Sequence, residues 1–387
     1  MWQQQQQQHD EKLLVKIKNE QKSVSSIRLP PETWQTIFAD FKTGDLYRCL
    51  LVDRHWCSNV VSLLWRDPFL VESATLITVY LAFLNDFERE ELAQAGVVVP
   101  VIPMPTFEYP AFLKSVDYWN FGKSVHAWLK RVDDLMESTR KGKETETQFS
   151  IDLFPKIALA KEARPFFMRH LGSGALTYRS AIKRAIVKML MRLAPAASKI
   201  VLKDPDDFFL LGAQEIVKWG QQFQELRIIS GPLEHDKYPV LCAGFKNAEH
   251  VYVEINFYRQ DWAREGKSEM RKLTNFIKLL RRLTTFQLRL LSNDWIPTDI
   301  DLLCGALPKT LRHLSFKSVN FTAMSSLKSL TKLTNLETLE FDCPSGLEDR
   351  LVSPLTAANF PNLKKIILRG GEIPSEMGLW AVRINSS

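Results

Sequence analysis

Apolar positions follow a helical period through the opening of the chain and a strand period through its second half. Trp34, Ile37, Phe38 and Phe41 fall at i, i+3, i+4 and i+7, the stripe of an amphipathic helix. Pro30 and Pro31 suit that helix's first turn, and Glu32 suits the positive end of its dipole. Thr43-Gly44-Asp45 reads as a break and a cap for a second helix carrying Leu46, Cys49 and Leu50. Trp56, Val60, Leu63 and Leu64 mark a third, ending before Pro68. Three helices in about forty residues leave more aromatic and aliphatic surface than so small a unit can bury. The surplus points to a docking partner.

Four segments follow from the pattern. Residues 1–26, with Gln3–Gln8, read as a disordered tail in which only Leu13–Ile17 has helical character. Residues 27–70 are the three-helix module. Residues 71–195 read as a mostly helical connector, interrupted by the prolines of Val97–Pro110 and by a polar loop at Lys141–Thr147. Residues 196–387 repeat the template apolar-x-x-apolar-x-apolar. It occurs as Ala197/Ile200/Leu202, Phe223/Leu226/Ile228, Ala248/Val251/Val253 and Leu283/Phe286/Leu288. It continues as Leu311/Leu314/Phe316, Leu336/Leu339/Phe341 and Leu363/Ile366/Leu368. The central residues are 26, 25, 35, 28, 25 and 27 positions apart. With an insertion at the long gap, that spacing matches leucine-rich repeats of one strand and one helix, stacked as a solenoid. Leu273/Phe276/Ile277/Leu280 and Ile300/Leu303/Leu307 are the clearest intervening helical patterns. An ordinary α/β domain is the alternative.

Composition narrows the function. Hydrophobic content of 45% and charged content of 25% are those of a globular protein. A net charge of +7 is spread along the chain, without a zinc finger, an RNP-type motif or a dense basic block, so nucleic acid is disfavoured. The concentrated basic stripe, Arg179, Lys183, Arg184, Lys188 and Arg192, alternates with apolar residues and reads as the solvated face of a helix. Cys49, Cys57, Cys242, Cys304 and Cys343 form no metal-ligand spacing and suit reduced thiols in the cytoplasm and/or nucleus. Ala74–Leu84 is too short to span a bilayer, and the Gln-rich start is no secretory signal. No GxSxG, P-loop, HExxH or GxGxxG motif occurs, and Gly172-Ser173-Gly174 is an isolated loop signal. The expectation is therefore no catalytic residues, no metal, no cofactor and no enzyme.

The opening module resembles the F-box. The resemblance lies in Leu29, Pro30 and Glu32, the Ile37-Phe38 pair, Leu46, Cys49, Val52, Trp56 and the Leu64-Trp65 close. The whole layout is similar to fungal F-box proteins with a degenerate C-terminal leucine-rich-repeat region. The fold class expected is thus mixed: an all-α F-box and helical connector, then an α/β leucine-rich-repeat-like solenoid.

The resemblance implies the substrate-recognition subunit of a Skp–cullin–F-box ubiquitin ligase. Leu29, Pro30, Ile37, Phe38, Leu46, Val52 and Trp65 would contact, or shape the contact with, a Skp-type adaptor and through it a cullin. Cys49 and Trp56 would support the module's own core. An unidentified protein substrate would lie on the solenoid. Because neighbouring strand residues point to opposite faces, Arg227, Tyr252, Glu254, Gln287, Arg289, Lys317, Glu340, Asp342 and Arg369 should share one surface. The alternatives are an adaptor-bound interaction protein without a ligase role, and a basic nucleic-acid-binding scaffold using Lys183–Arg192.

Overall fold

The computed structural model describes residues 29–97, 99, 102–140, 175–203, 206–230, 237–256, 265–291 and 300–386. The Gln-rich tail with Leu13–Ile17, the Lys141–Thr147 loop and Gly172-Ser173-Gly174 lie outside these residues. The chain divides into two compact units, Met1–Arg66 and Asp67–Ser387.

The first unit holds α1 (Pro31–Ala39), α2 (Thr43–Cys49) and α3 (Arg54–Leu64). Pro30 is the N-cap residue of α1, with a proline in the first turn and Glu32 behind it. Thr43-Gly44-Asp45 forms the first turn of α2 rather than a break. The chain breaks instead at Asp40–Lys42, whose three side chains are all exposed. Asp53 caps α3 by accepting the Trp56 N–H at 2.7 Å. Phe38, Leu46, Cys49 and Val60 are buried, and Trp34, Leu50, Trp56, Leu63 and Leu64 pack around them. Phe38 lies 5.4 Å from Trp34 and 5.3 Å from Trp56 between ring centroids. Such aromatic pairs each add about 0.5–1.5 kcal/mol beyond area burial.

The second unit is α/β, built on an open, wholly parallel sheet of eight strands in chain order. The strands are β1 (Ser115–Asp117), β2 (Lys199–Lys203), β3 (Glu225–Ser230), β4 (His250–Ile255), β5 (Thr285–Leu290), β6 (His313–Lys317), β7 (Thr338–Asp342) and β8 (Lys365–Arg369). Each apolar triplet in the sequence supplies one strand from β2 to β8. Their central residues form one continuous row, Ile200, Leu226, Val251, Phe286, Leu314, Leu339 and Ile366, all buried. The third positions form a parallel row in which Phe316 and Phe341 stack at 5.8 Å. Parallel strands need crossovers. Between β2 and β6 these carry α8 (Asp206–Phe209), α9 (Ala213–Gly220), α10 (Lys237–Gly244), α11 (Glu265–Leu279) and α12 (Ile300–Ala306). A 3-10 turn at Lys328–Lys332 and α13 (Asp349–Thr356) serve the last two. Gly220 and Gly244 let α9 and α10 approach closely: a Cβ on Gly220 would stand 2.8 Å from the Gly244 carbonyl.

The sheet begins inside the expected helical connector, since Val116 of β1 pairs with Ile200. That segment also supplies α4 (Ala74–Leu81), α5 (Asp86–Gln94), α6 (Tyr118–Arg140) and α7 (Ala175–Leu193). Phe69, Tyr80 and Phe121 pack together, and Tyr118 joins Phe121 to Phe208 at 5.6 and 5.0 Å. The described parts of the connector and of the strand region therefore share one core, within the unit that begins at Asp67.

At the far edge, α14 (Ser375–Asn385) returns beside β8. The Asn385 side chain accepts the Ile366 N–H at 2.9 Å and donates to its carbonyl at 3.0 Å. Ile366's outward backbone groups thus meet an amide at the place where a ninth strand would pair.

Candidate functional site

Two surfaces collect the candidate residues. On the helical module, Ile37 and Val52 are 41% and 58% exposed, Pro30 is exposed, and Leu29 and Trp65 are half-buried. Phe38 and Leu46 are buried in the module's own core, at 1% and 8% exposure. Their role is to set the helices that carry the surface, because Phe38 is enclosed by Trp34 and Trp56. Cys49 and Trp56 also belong to that core.

Three apolar side chains beside these were not singled out as site residues: Phe41, Tyr47 and Leu51. Leu51, at 87%, is the most exposed large apolar side chain among the described residues. The run Leu50-Leu51-Val52 ahead of the Asp53 cap carries the signal, since a turn cannot direct three consecutive residues into one core. Five large apolar side chains therefore face outward between Ile37 and Val52, around a core already closed. Monomeric proteins rarely leave such density to water.

The second surface is the sheet face opposite the buried rows. Arg227, Tyr252, Gln287 and Glu340 lie in one row with Ser315. Glu254, Arg289, Lys317, Asp342 and Arg369 occupy the adjacent row. All nine predicted residues thus share one face. Many of its charges are already paired: Arg289 with Glu254 at 3.3 Å, and Glu340 with Lys317 at 3.8 Å and Arg369 at 3.2 Å. The carboxylates of these pairs are largely buried, Glu254 at 17% and Glu340 at 13% side-chain exposure, whereas Arg289 and Arg369 reach solvent. Arg227 differs, because its Nε is buried without a partner. Burial raises the neighbouring Tyr252 hydroxyl's pKa, Glu225 adds to the rise, and the Arg227 charge opposes it.

The basic stripe of α7 is only partly a solvated face: Arg184 and Arg192 are exposed, Arg179 and Lys188 are half-buried, and Lys183 is buried. Lys183 is 1% exposed, its ammonium 5.5 Å from the centre of the Tyr118 ring. Lys188 bonds both Glu91 carboxylate oxygens at 2.6 and 2.8 Å. Arg192 pairs with Glu88 at 2.8 Å and donates to the Phe83 carbonyl at 3.1 Å. Lys183, Lys188 and Arg192 are thus engaged by α5 and the core, which leaves Arg184 as the exposed cation of the stripe without a carboxylate partner among the described residues.

Among the described residues, no group of three or more His, Cys, Asp and Glu is placed to hold a metal ion. No described helix is long and apolar enough to cross a membrane. No protein-family model matches the chain, and neither does any curated protein.

Proposed function

We propose that residues 29–66 are an F-box that docks on a Skp-type adaptor, and that the chain is a substrate-recognition subunit of a Skp–cullin–F-box ubiquitin ligase. In this reading residues 196–387 are a leucine-rich-repeat-like solenoid whose open sheet face captures a protein substrate. Ubiquitin transfer itself belongs to partner subunits.

The observation that carries the proposal is the outward apolar set Ile37, Phe41, Tyr47, Leu51 and Val52 on a module with its own closed core. An interface centred on such residues and rimmed by the charges of Asp45, Arg48 and Arg54 has the composition of a protein–protein contact. Support for the repeat reading comes from seven in-register triplets and from a left-handed turn that recurs immediately after β6, β7 and β8. The turn residues are Ser318, Cys343 and Gly370, with φ of 52°, 48° and 58°. The same left-handed position at the same phase of three successive units is what stacked repeats produce.

Direct binding to a purified Skp-type adaptor tests the proposal. The unaltered chain should bind. Leu51→Asp combined with Ile37→Asp should weaken binding by on the order of a hundredfold, the loss of two apolar anchors. Pro30→Ala with Trp65→Ala should also weaken it, and Arg227→Glu should not. Absence of binding, or binding indifferent to Leu51 and Ile37, refutes the reading. Reconstituted ubiquitination of a captured partner then separates a ligase receptor from an adaptor-bound protein without ligase role.

A further inference from the structure

A cavity of about 920 Å³ opens between α10 and α11, on the helix side of the sheet rather than its ligand-presenting face. Its volume falls in the ~300–1,000 Å³ range of small-molecule sites. One wall is a stripe of α10 and the turn after it, with Tyr238, Cys242 and Lys246 in line. The other carries Lys272 and Leu279 of α11, followed by Arg281.

Three features set this groove apart from an imperfect helix–helix seam. Its walls combine cations with apolar surface, and among the described residues lining it none is Asp or Glu. Lys246 and Arg281 are exposed and engage no carboxylate among the described residues, whereas Arg282 beside them is paired with Glu249. Finally, Leu279 is left 52% exposed on the wall, and Lys272 stands 5.7 Å over the Tyr238 ring. Clustered like charges in a concave site repel one another and concentrate anions. An apolar wall beside them favours a hydrocarbon or aromatic body over a hydrated ion.

From this complementarity we infer that the α10–α11 groove binds a small anionic amphiphile, a phosphate or carboxylate head carried on an apolar body. Lys246 and Arg281 meet the head, and Tyr238, Cys242 and Leu279 line the body. The inference does not depend on adaptor binding.

Dodecyl phosphate, below its micelle concentration, is the probe, titrated calorimetrically into the full chain. Saturable binding is expected, together with slower iodoacetamide alkylation of Cys242 and an unchanged rate at the exposed Cys343. Inorganic phosphate and dodecanol should each bind about tenfold more weakly or worse, since each lacks half of the complement. Lys246→Glu with Arg281→Glu should cost about tenfold or more, and Lys246→Gln with Arg281→Gln a smaller loss of the same sign. Both pairs are surface changes, and an unaltered thermal melt identifies folded protein. The inference is overturned by no saturable binding, by binding that ignores the charge reversal, or by Cys242 alkylation that the ligand does not slow. Binding to anionic phosphatidic acid vesicles without binding to the monomer overturns it too, in favour of surface attraction.

Discussion

The contact between α9 and α10 allows one substitution to be worked out in both directions. Gly220→Ala places a methyl group 2.8 Å from the Gly244 carbonyl carbon and oxygen and 3.0 Å from its Cα. Carbon atoms settle near 3.5 Å or beyond, so the helices must part by roughly 0.7 Å along a seam that is otherwise close-packed. Overpacking of this kind costs about 1–3 kcal/mol. Alanine's better helix propensity returns at most about 1 kcal/mol, less at the helix's final residue. The net expectation is a loss of about 1–2 kcal/mol. Gly305, near the end of α12, provides the control: a Cβ there meets nothing within 4 Å. Gly305→Ala should be neutral or stabilising by up to about 1 kcal/mol. Urea unfolding followed by circular dichroism reads both. Equal shifts, or a stabilised Gly220→Ala, would refute the argument that the glycine pair is a packing requirement.

Two further outcomes follow from buried chemistry in the second unit. Arg192→Ala leaves Glu88, whose side chain is 5% exposed, without its cation, and should cost about 3 kcal/mol in urea unfolding. Lys188→Ala leaves Glu91, 34% exposed, where water can replace the ammonium, and should cost less than about 1 kcal/mol. Burial pushes the Cys242 thiol up to about 11 from its ordinary 9.0. The folded chain therefore holds that proton where the unfolded chain releases it, and this contribution to stability falls as pH rises from 9 to about 11. Alkylation of Cys242 should be slow at neutral pH and accelerate toward pH 11, which peptide-resolved mass spectrometry measures against Cys343. A Cys242 as fast as Cys343 at pH 7.5 would contradict that assignment.

Local periodicity carried the strands because their pattern and their burial share a period of two. Phe286/Leu288 and Leu339/Phe341 alternate with polar residues, and the buried rows follow. β1 was hidden: Ser115-Val116-Asp117 offers one apolar residue, too few to show alternation, near the proline-rich stretch. Its assignment depends on pairing with β2, more than eighty positions later. The basic helix was misleading for the same reason. Lys188 and Arg192 look solvated until Glu91 and Glu88, about a hundred residues earlier, are placed against them. In the helical module, spacing alone put Trp34, Ile37, Phe38 and Phe41 on one stripe. It could not tell that only Phe38 is fully enclosed while Ile37 and Phe41 remain outside.

Asn385 has a consequence for assembly length. A sheet of parallel strands in chain order has no intrinsic last member: whatever pairs with β7 leaves the same edge on β8. Here the count is ended by one carboxamide, which answers both the N–H and the carbonyl of Ile366. The side chain acts as a terminator, a single-residue substitute for the next unit. Without the terminator, the open edge becomes a template onto which a second copy of the chain could add its own strands, turning a finite stack into a growing one.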